Sequence, residues 1–497
     1  MKKIIASVLA AIFVIAAAAA CAKPNSGNTD DTTKKNSNVT TGADEEPRFY
    51  DNLDFEGAKV NVATRDNATS DYSIGIEGGD VIYSSIYQSN ETVNGLLNIT
   101  REFILGSDDT HRFVTQTVNE ILTGDCLADT VLVDQYFGTS FAAEGPYANI
   151  LSDDYKGYLD LDQDWWYKDY MDHTAIGKNT AFFLGGDCSP SILCWAACSF
   201  VDLNLYEDVI GDPGEFLDKV EEGKWTLDLL FELSKTMYLD LDEDEMVSGK
   251  DRLGFAVVRG QSALFAGVCA GMKFTERDSD GNYSIVVDRE ENFDIFSKLY
   301  TLYNDTEGVF TYNEGTTDYH AKKVFADGRS LFCNEYVLST WDETLRNMTN
   351  EFAVIPRPKN NEDQKEYITV LQDSFLLYTI PSCISLDKVP VVTAMIEAQG
   401  IINNRDVIPA IFDTALKSKF RSDLVDYEQA SRLIELVRSG ITTDFGVVYD
   451  NSLNNIANLV GRLIMNRSNN YASEIAGNIT LFQTSLEDLM MAFEQLR

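Results

Sequence analysis

The sequence predicts an α/β chain folded as two lobes. At 497 residues it is too long for one ordinary domain. Its folded part opens on alternating strand and helix signals, and a second α/β series follows before a long helical end.

In the first series AKVNVAT, Ala58 to Thr64, alternates and is rich in β-formers, which marks a first strand. A helical stretch around Tyr83 to Leu97 comes next, then REFIL as the second strand, a helix from about Asp109 to Leu122, and TVLVD, Thr130 to Asp134, as the third. That order requires a parallel sheet with helices on its faces. Ligands of such sheets bind beyond the carboxyl ends of the strands. Arg65 and Asp66 after the first strand, and Gln135 and Tyr136 after the third, are therefore the first candidates for ligand contact.

From about Asp160 the pattern changes. AFFLGG and SILCWAACSFVDL read as strands, and KWTLDLLFELSKTM reads as a helix. Thr226 can cap that helix, Asp228 suits its positive end, and Leu227, Leu230, Leu233 and Met237 share one face. FAVV, a hairpin KFTERDSDGNYSIVV turning at Asp278 to Gly281, and a helix from about Glu290 to Asn304 extend the second series. SLFCNEY and EFAVIPRPK are strand ends around another helix. VLQDSFLLYTI is a long apolar strand that needs a sheet to enter, and the chain from Val389 is largely helical.

The amino terminus carries a separate message. Lys2 and Lys3 precede an uncharged, mostly apolar run from Ile4 to Ala20, as in an export signal. AAAC, Ala18 to Cys21, resembles the lipobox of bacterial lipoproteins, with Ala18 where leucine is usual. Residues 1–20 are then a lipoprotein signal peptide, Cys21 is the lipidation site, and residues 21–50 are a polar tether reaching roughly 30 Å. The expected location is the extracellular face of the cell membrane, with the anchor as the only membrane contact. An uncleaved signal is the alternative.

Composition excludes other partners. Lys and Arg number 40 against 79 Asp and Glu, a net charge of −39, which repels nucleic-acid phosphates and anionic lipid heads. No HExxH, GxSxG or GxxxxGK[ST] pattern occurs, so no catalytic residue and no cofactor is assigned. A glycosidase needs only two carboxylates, which keeps that class open in so acidic a chain. Beyond Cys21 there are Cys126, Cys188, Cys194, Cys198, Cys269, Cys333 and Cys383, with no CxxC pair. They read chiefly as small buried side chains, the cluster Cys188, Cys194 and Cys198 being the one candidate for a disulfide or other chemistry. DLDEDEMVSGKD, Asp240 to Asp251, has Asp240, Asp242 and Asp244 at calcium-loop spacing. Glu245 stands where that loop needs glycine and Asp251 where it needs glutamate, so a solvated acidic turn is the better reading and no metal is assigned.

One stretch stands out by its aromatics. DQDWWYKD, Asp162 to Asp169, holds two of the five tryptophans, Trp165 and Trp166, among three aspartates. Core, partner surface and ligand pocket all fit such a cluster. Adjacent residues of a strand point to opposite faces, so only an irregular backbone gives both rings to one ligand.

EEGKWTLDLLFELSKTMYLDLDED, FADGRSLFCNEY, EFAVIPRPKNNEDQKEY and IPAIFDTALKSKFRSD, in that order, resemble segments of the extracellular solute-binding proteins of bacterial ABC importers, the large family of sugar-binding receptors. The resemblance implies a two-lobed, periplasmic-binding-protein-like type II fold with a hinged cleft. Lobe one is expected from residues 51–160 and 366–404, lobe two from 161–365 and 405–497. It implies a monomeric receptor that delivers a small solute, a neutral mono- or oligosaccharide, to an ABC permease. Trp165 and Trp166 fall where the chain crosses between lobes, Tyr336 near where sugar-binding relatives place a stacking ring, and Asp187, Trp195 and Asp373 at strand ends or crossing segments. Aromatic faces and carboxylates together suit a sugar. The rival readings are a surface-anchored glycoside hydrolase and a noncatalytic adhesin or sensor.

Overall fold

The computed structural model of the chain describes residues 48–312, 320–417 and 426–496. The signal, Cys21 and the tether to residue 47 lie outside the described residues, as does the end of IPAIFDTALKSKFRSD. Among the described residues no helix is long and apolar enough to cross a membrane.

The described strands are β1 (Ala58–Arg65), β2 (Ile99–Gly106), β3 (Thr130–Asp134), β4 (Ala197–Asp202), β5 (Leu253–Val258), β6 (Thr275–Arg277), β7 (Tyr283–Ile285), β8 (Val309–Tyr312), β9 (Ser330–Tyr336), β10 (Phe352–Ile355) and β11 (Leu376–Thr379). One sheet has the order β11-β3-β1-β2, the other β10-β4-β9-β5-β8, and β6 with β7 forms the hairpin. In the first sheet β1 runs parallel to both β2 and β3, as the opening strand-helix alternation requires. β11 lies antiparallel to β3, Leu376 opposite Asp134.

Local chemistry fixes the helices between these strands. Asp80 accepts from the amides of Ile82 and Tyr83 at the start of the helix Val81–Leu97, and Asn98 in the left-handed region (φ 49°) ends it. Ile82, Ile86, Val93 and Leu97 are its buried stripe. Asp109 caps the helix Thr110–Thr123, and Gly124 at φ 87° stops it. In the second lobe Thr226 caps Leu227–Met237, whose buried face is Leu227, Leu230, Leu233 and Met237. The core of that lobe centres on Trp225, fully buried against Phe332 and Phe216 with ring centroids 4.9 and 5.3 Å away. Its Nε1 donates to the Pro356 carbonyl at 3.0 Å.

Two expected strands are shorter than their apolar runs. AFFLGG makes only isolated bridges, Leu184 to Tyr378 and Gly186 to Trp166. The run around Val370 to Ile380 pairs with β3 only over its last part, because Asp373 and Ser374 turn away to meet Arg65 and Gln372. SILC is a short helix, Ser191–Cys194, ahead of β4.

These elements present facing edges. Because β11 is antiparallel, its amino end lies beside the carboxyl ends of β1 and β3. In the other sheet the carboxyl ends of β5, β8 and β9 lie beside the amino end of β4. The chain crosses between the lobes where Ala196 pairs antiparallel with Leu371. Ala197 N donates to Val370 O at 2.9 Å and Gln372 N to Trp195 O at 3.1 Å, so these two crossings form a narrow two-stranded strap.

Candidate functional site

A pocket of about 440 Å³ opens at the carboxyl ends of β5, β8 and β9. Trp195, which ends the crossing before β4, and Tyr336, the last residue of β9, meet edge to face with centroids 5.6 Å apart. Glu335 and Asn334 precede Tyr336 on the strand and are buried. The Glu335 Oε2 accepts from Ser339 Oγ at 2.9 Å, and Asn334 Oδ1 accepts from Ser199 Oγ at 2.6 Å. Burial pushes the Glu335 carboxyl up, with Lys322, the Ser339 hydroxyl, His320 and Arg357 opposing. Gln261, Ser262, His320, Lys322 and Arg357 complete the polar lining. Such a wall offers an apolar ring surface and several convergent polar groups, the composition of a small-molecule site.

The facing edge of the first lobe is built on Arg65. Its guanidinium is buried at the end of β1, donating from Nη1 to Thr110 Oγ1 at 2.7 Å and from Nη2 to Ser374 O at 2.6 Å. Asp134 Oδ2 stands 4.0 Å from Nη1. Burial pushes the Asp134 carboxyl up to about 6, and raises that of Asp373, while Arg65 opposes both. Asp373 Oδ1 accepts from Gln372 Nε2 at 2.7 Å, and Gln372 bonds back to Trp195. A continuous polar chain therefore runs from Arg65 through Ser374 and Gln372 to Trp195, with Asp373 as a branch on Gln372.

Of the residues singled out from sequence, the structure joins Arg65, Asp373, Trp195 and Tyr336 in this way. Tyr136 is half-buried, edge-on to Phe137 at 5.0 Å, and burial together with Asp450 and Asp373 raises its hydroxyl. Gln135 is buried beneath the first sheet, accepting from Tyr170 Oη at 2.6 Å. Asp66 is exposed.

Trp165, Trp166 and Asp187 occupy a different place, packed on the helix Val389–Lys417 away from the strap. Trp165 Nε1 donates to Glu397, and its ring lies over Gly400. Trp166 is buried against Gly186 and, like Trp165, interacts with the Glu397 carboxylate. Asp187 is wholly buried and accepts from Tyr167 Oη, Asn404 Nδ2 and Arg438 Nη2, each at 2.7 Å. Neither indole lines the pocket of Trp195 and Tyr336.

Glu335, Asn334, Lys322, His320, Gln261 and Arg357 were not picked out from sequence. Arg65 is the last residue of β1, whereas Arg357 lies two residues beyond the end of β10, between two prolines, where the strand-end rule does not single it out. Outside the pocket, Cys126 and Cys383 form a disulfide with Cα atoms 5.8 Å apart, a pairing the spacing did not suggest. Cys188, Cys194 and Cys198 are free and buried, which raises their thiols. The acidic turn folds on itself: Asp240 accepts from the amides of Glu243 and Glu245 at 2.8 and 2.9 Å, and Lys250 pairs with Asp242 at 3.0 Å.

No protein-family model and no curated protein sequence matches the chain. Solved structures do match. An ABC transporter solute binding protein of Thermotoga lettingae TMO bound with alpha-D-tagatose is 12% identical, with a TM-score of 0.53 over 87% of this chain and 100% of that one. UspC of M. tuberculosis is 14% identical, with a TM-score of 0.54 over 87% and 100%. UgpB of M. tuberculosis, in complex with glycerophosphocholine, is 11% identical, with a TM-score of 0.51 over 88% and 99%. The chain thus has the two-lobed α/β fold of ABC transporter solute-binding proteins.

Proposed function

We propose that the chain is an exported receptor, anchored through Cys21, that captures a small carbohydrate between its lobes and delivers it to the permease of an ABC importer as a monomer, catalysing nothing. The observation that carries this reading is the Trp195 and Tyr336 pair, ringed by hydrogen-bonding groups at the strand ends that face the other lobe. Tagatose and glycerophosphocholine, the compounds held by two structural neighbours, are hydroxylated solutes of the same size class. The Trp195 to Ala197 and Thr369 to Gln372 strap is short and two-stranded, which suits a hinge about which the lobes close. The Cys126–Cys383 disulfide agrees with an oxidising exterior.

The test is calorimetric titration and thermal shift of the purified protein against mono- to tetrasaccharides, with mass analysis of Cys21 in cell membranes. Saturable binding of one saccharide per chain and a lipid-modified Cys21 are expected. Steady turnover of a glycan would establish a hydrolase instead, and binding restricted to a macromolecule would establish an adhesin.

A further inference from the structure

The wall of the pocket holds an arginine that lies over the Phe265 ring, 5.8 Å from its centroid, and makes no ion pair among the described residues. Arg357 is 2% exposed, yet its guanidinium makes one hydrogen bond, a long one from Nη1 to Ser262 O at 3.4 Å, and its Nε has no acceptor. Glu335 lines the same pocket but forms no ion pair with it and is engaged by Ser339. A guanidinium is a donor only and stays charged under all ordinary conditions. Burying it without an acceptor is unfavourable unless something else supplies one. Nearby, Trp195 Nε1 is also buried and unpartnered, a second donor with nothing to donate to.

A third source of donors is the helix Gln261–Cys269, whose first residues Gln261 and Ser262 line the pocket beside Arg357. The amides of Ala263 and Leu264 donate to the Gly260 carbonyl, which leaves those of Gln261 and Ser262 as the leading donors, and the helix dipole places partial positive charge there. The Arg357 backbone is held rigidly for this role. Pro356 and Pro358 flank it, and the Pro356 carbonyl is fixed by the indole of buried Trp225. In a chain of net charge −39 this pocket wall therefore keeps spare donors on Arg357 and Trp195, while its other charges are engaged, Lys322 with Asp342 at 3.0 Å and Glu335 with Ser339 at 2.9 Å.

We propose that the solute carries an anionic group, a carboxylate or a phosphate, seated between the Arg357 guanidinium and the amino end of the helix Gln261–Cys269, with its hydroxylated body against Trp195 and Tyr336. The inference rests on the reading of this pocket as a solute site, and it replaces the neutral sugar expected from overall charge with an acidic or phosphorylated one. Overall acidity sets the far field of the protein, whereas a dry local donor cluster sets what the pocket accepts.

The test titrates the full chain with neutral saccharides and their charged counterparts, D-glucose against D-glucuronate and D-glucose 6-phosphate, and the corresponding pairs of longer saccharides. An anionic member is expected to bind about 10- to 100-fold more tightly than its neutral counterpart, the range of one or two charge-assisted hydrogen bonds. Preference for the uronate or for the phosphate tells which anion the site takes. Arg357→Met should abolish the margin and keep the protein folded, because an apolar side chain of similar length replaces an uncompensated buried charge. If that variant does not fold, Arg357→Gln is read in the same way, since it removes the charge and keeps a polar side chain. A neutral counterpart binding as tightly as the anion, or a margin that survives both substitutions, overturns the inference and leaves the receptor reading in place. Binding of no saccharide of either kind overturns the receptor reading itself.

Discussion

Trp165 Nε1 donates to Glu397 Oε1 at 2.9 Å, and the Asp160 amide donates to the other carboxylate oxygen at 3.1 Å. These two bonds fasten the segment from Asp160 to Trp165 to the long helix Val389–Lys417. Glu397 is 1% exposed, and burial pushes its carboxyl up to about 7 against the pull of both donors. Because the folded value lies above the unfolded one, the protonated acid favours folding. That contribution is full below about pH 4.5 and is lost as pH rises towards 7. Its size is about 1 to 3 kcal/mol. Glu397→Gln mimics the protonated form, so the variant should lose less stability than the parent between pH 5 and pH 8 in urea titrations. Equal losses would remove Glu397 from the pH response. Asp134, Asp202 and Asp450, each raised to about 6, act in the same direction in both proteins and cancel in the comparison.

The tryptophan pair also dictates glycine at two distant positions. A Cβ on Gly400 would come within 2.7 Å of Trp165 Cδ1, and one on Gly186 within 2.8 Å of Trp166 Cε3. Gly400→Ala should therefore destabilise the protein by about 1 to 3 kcal/mol through overpacking. Gly477, exposed in the helix Tyr471–Glu494, has nothing within 4 Å of its missing Cβ. Gly477→Ala should stabilise by roughly 0.5 to 1 kcal/mol through helix propensity. Denaturant midpoints of the two variants should move in opposite directions.

These residues also mark where sequence reading stops. The first sheet was legible because AKVNVAT and TVLVD carry strand periodicity and because Asp109 and Asn98 cap and end helices by their own chemistry. AFFLGG misled because Gly185 and Gly186 are there for the close approach of Tyr170 and Trp166, a contact between segments that periodicity does not encode. Arg65, Trp195 and Tyr336 followed from the strand-end rule and the resemblance. Arg357 and Glu335 did not, because with 79 acids and 40 bases no single charge stands out until the fold removes its water. Nor did DQDWWYKD announce its partner, since Glu397 lies 232 residues away.

The disulfide gives a thiol count that checks the fold. Cys126 and Cys383 are 257 residues apart, and their link ties the segment before β3 to the segment after β11. Closing so long a loop restricts the unfolded chain by up to about 5 kcal/mol in the chain-entropy account, so reduction should lower the melting temperature clearly. In protein beginning after Cys21, the native state should show no fast-reacting thiol, because the free cysteines are all buried. Unfolding without reductant should expose five thiols, and reduction should raise the count to the seven of the sequence. A count of seven without reductant would mean that the link does not form.

Tyr336 closes the wall of the pocket, and its substitution separates binding from folding. Its ring is half-buried at the end of β9, with one edge against Trp195, so removing it leaves the strand pairing of Ala197 with residue 336 intact through the backbone. Burying one aromatic face against a solute contributes on the order of 1 to 3 kcal/mol. Tyr336→Ala should therefore weaken binding of any saccharide that the parent binds about 5- to 150-fold. The melting temperature should change little by comparison with Gly400→Ala, whose cost falls on packing. Tyr136→Ala, on the facing lobe, should weaken the same ligand only if the lobes close on it, and it serves as the test of closure. Affinity and melting temperature measured on the same samples distinguish the outcomes. Loss of affinity with Tyr336→Ala alone would confine the solute to the second lobe. Unchanged affinity in both variants would take these rings out of the site.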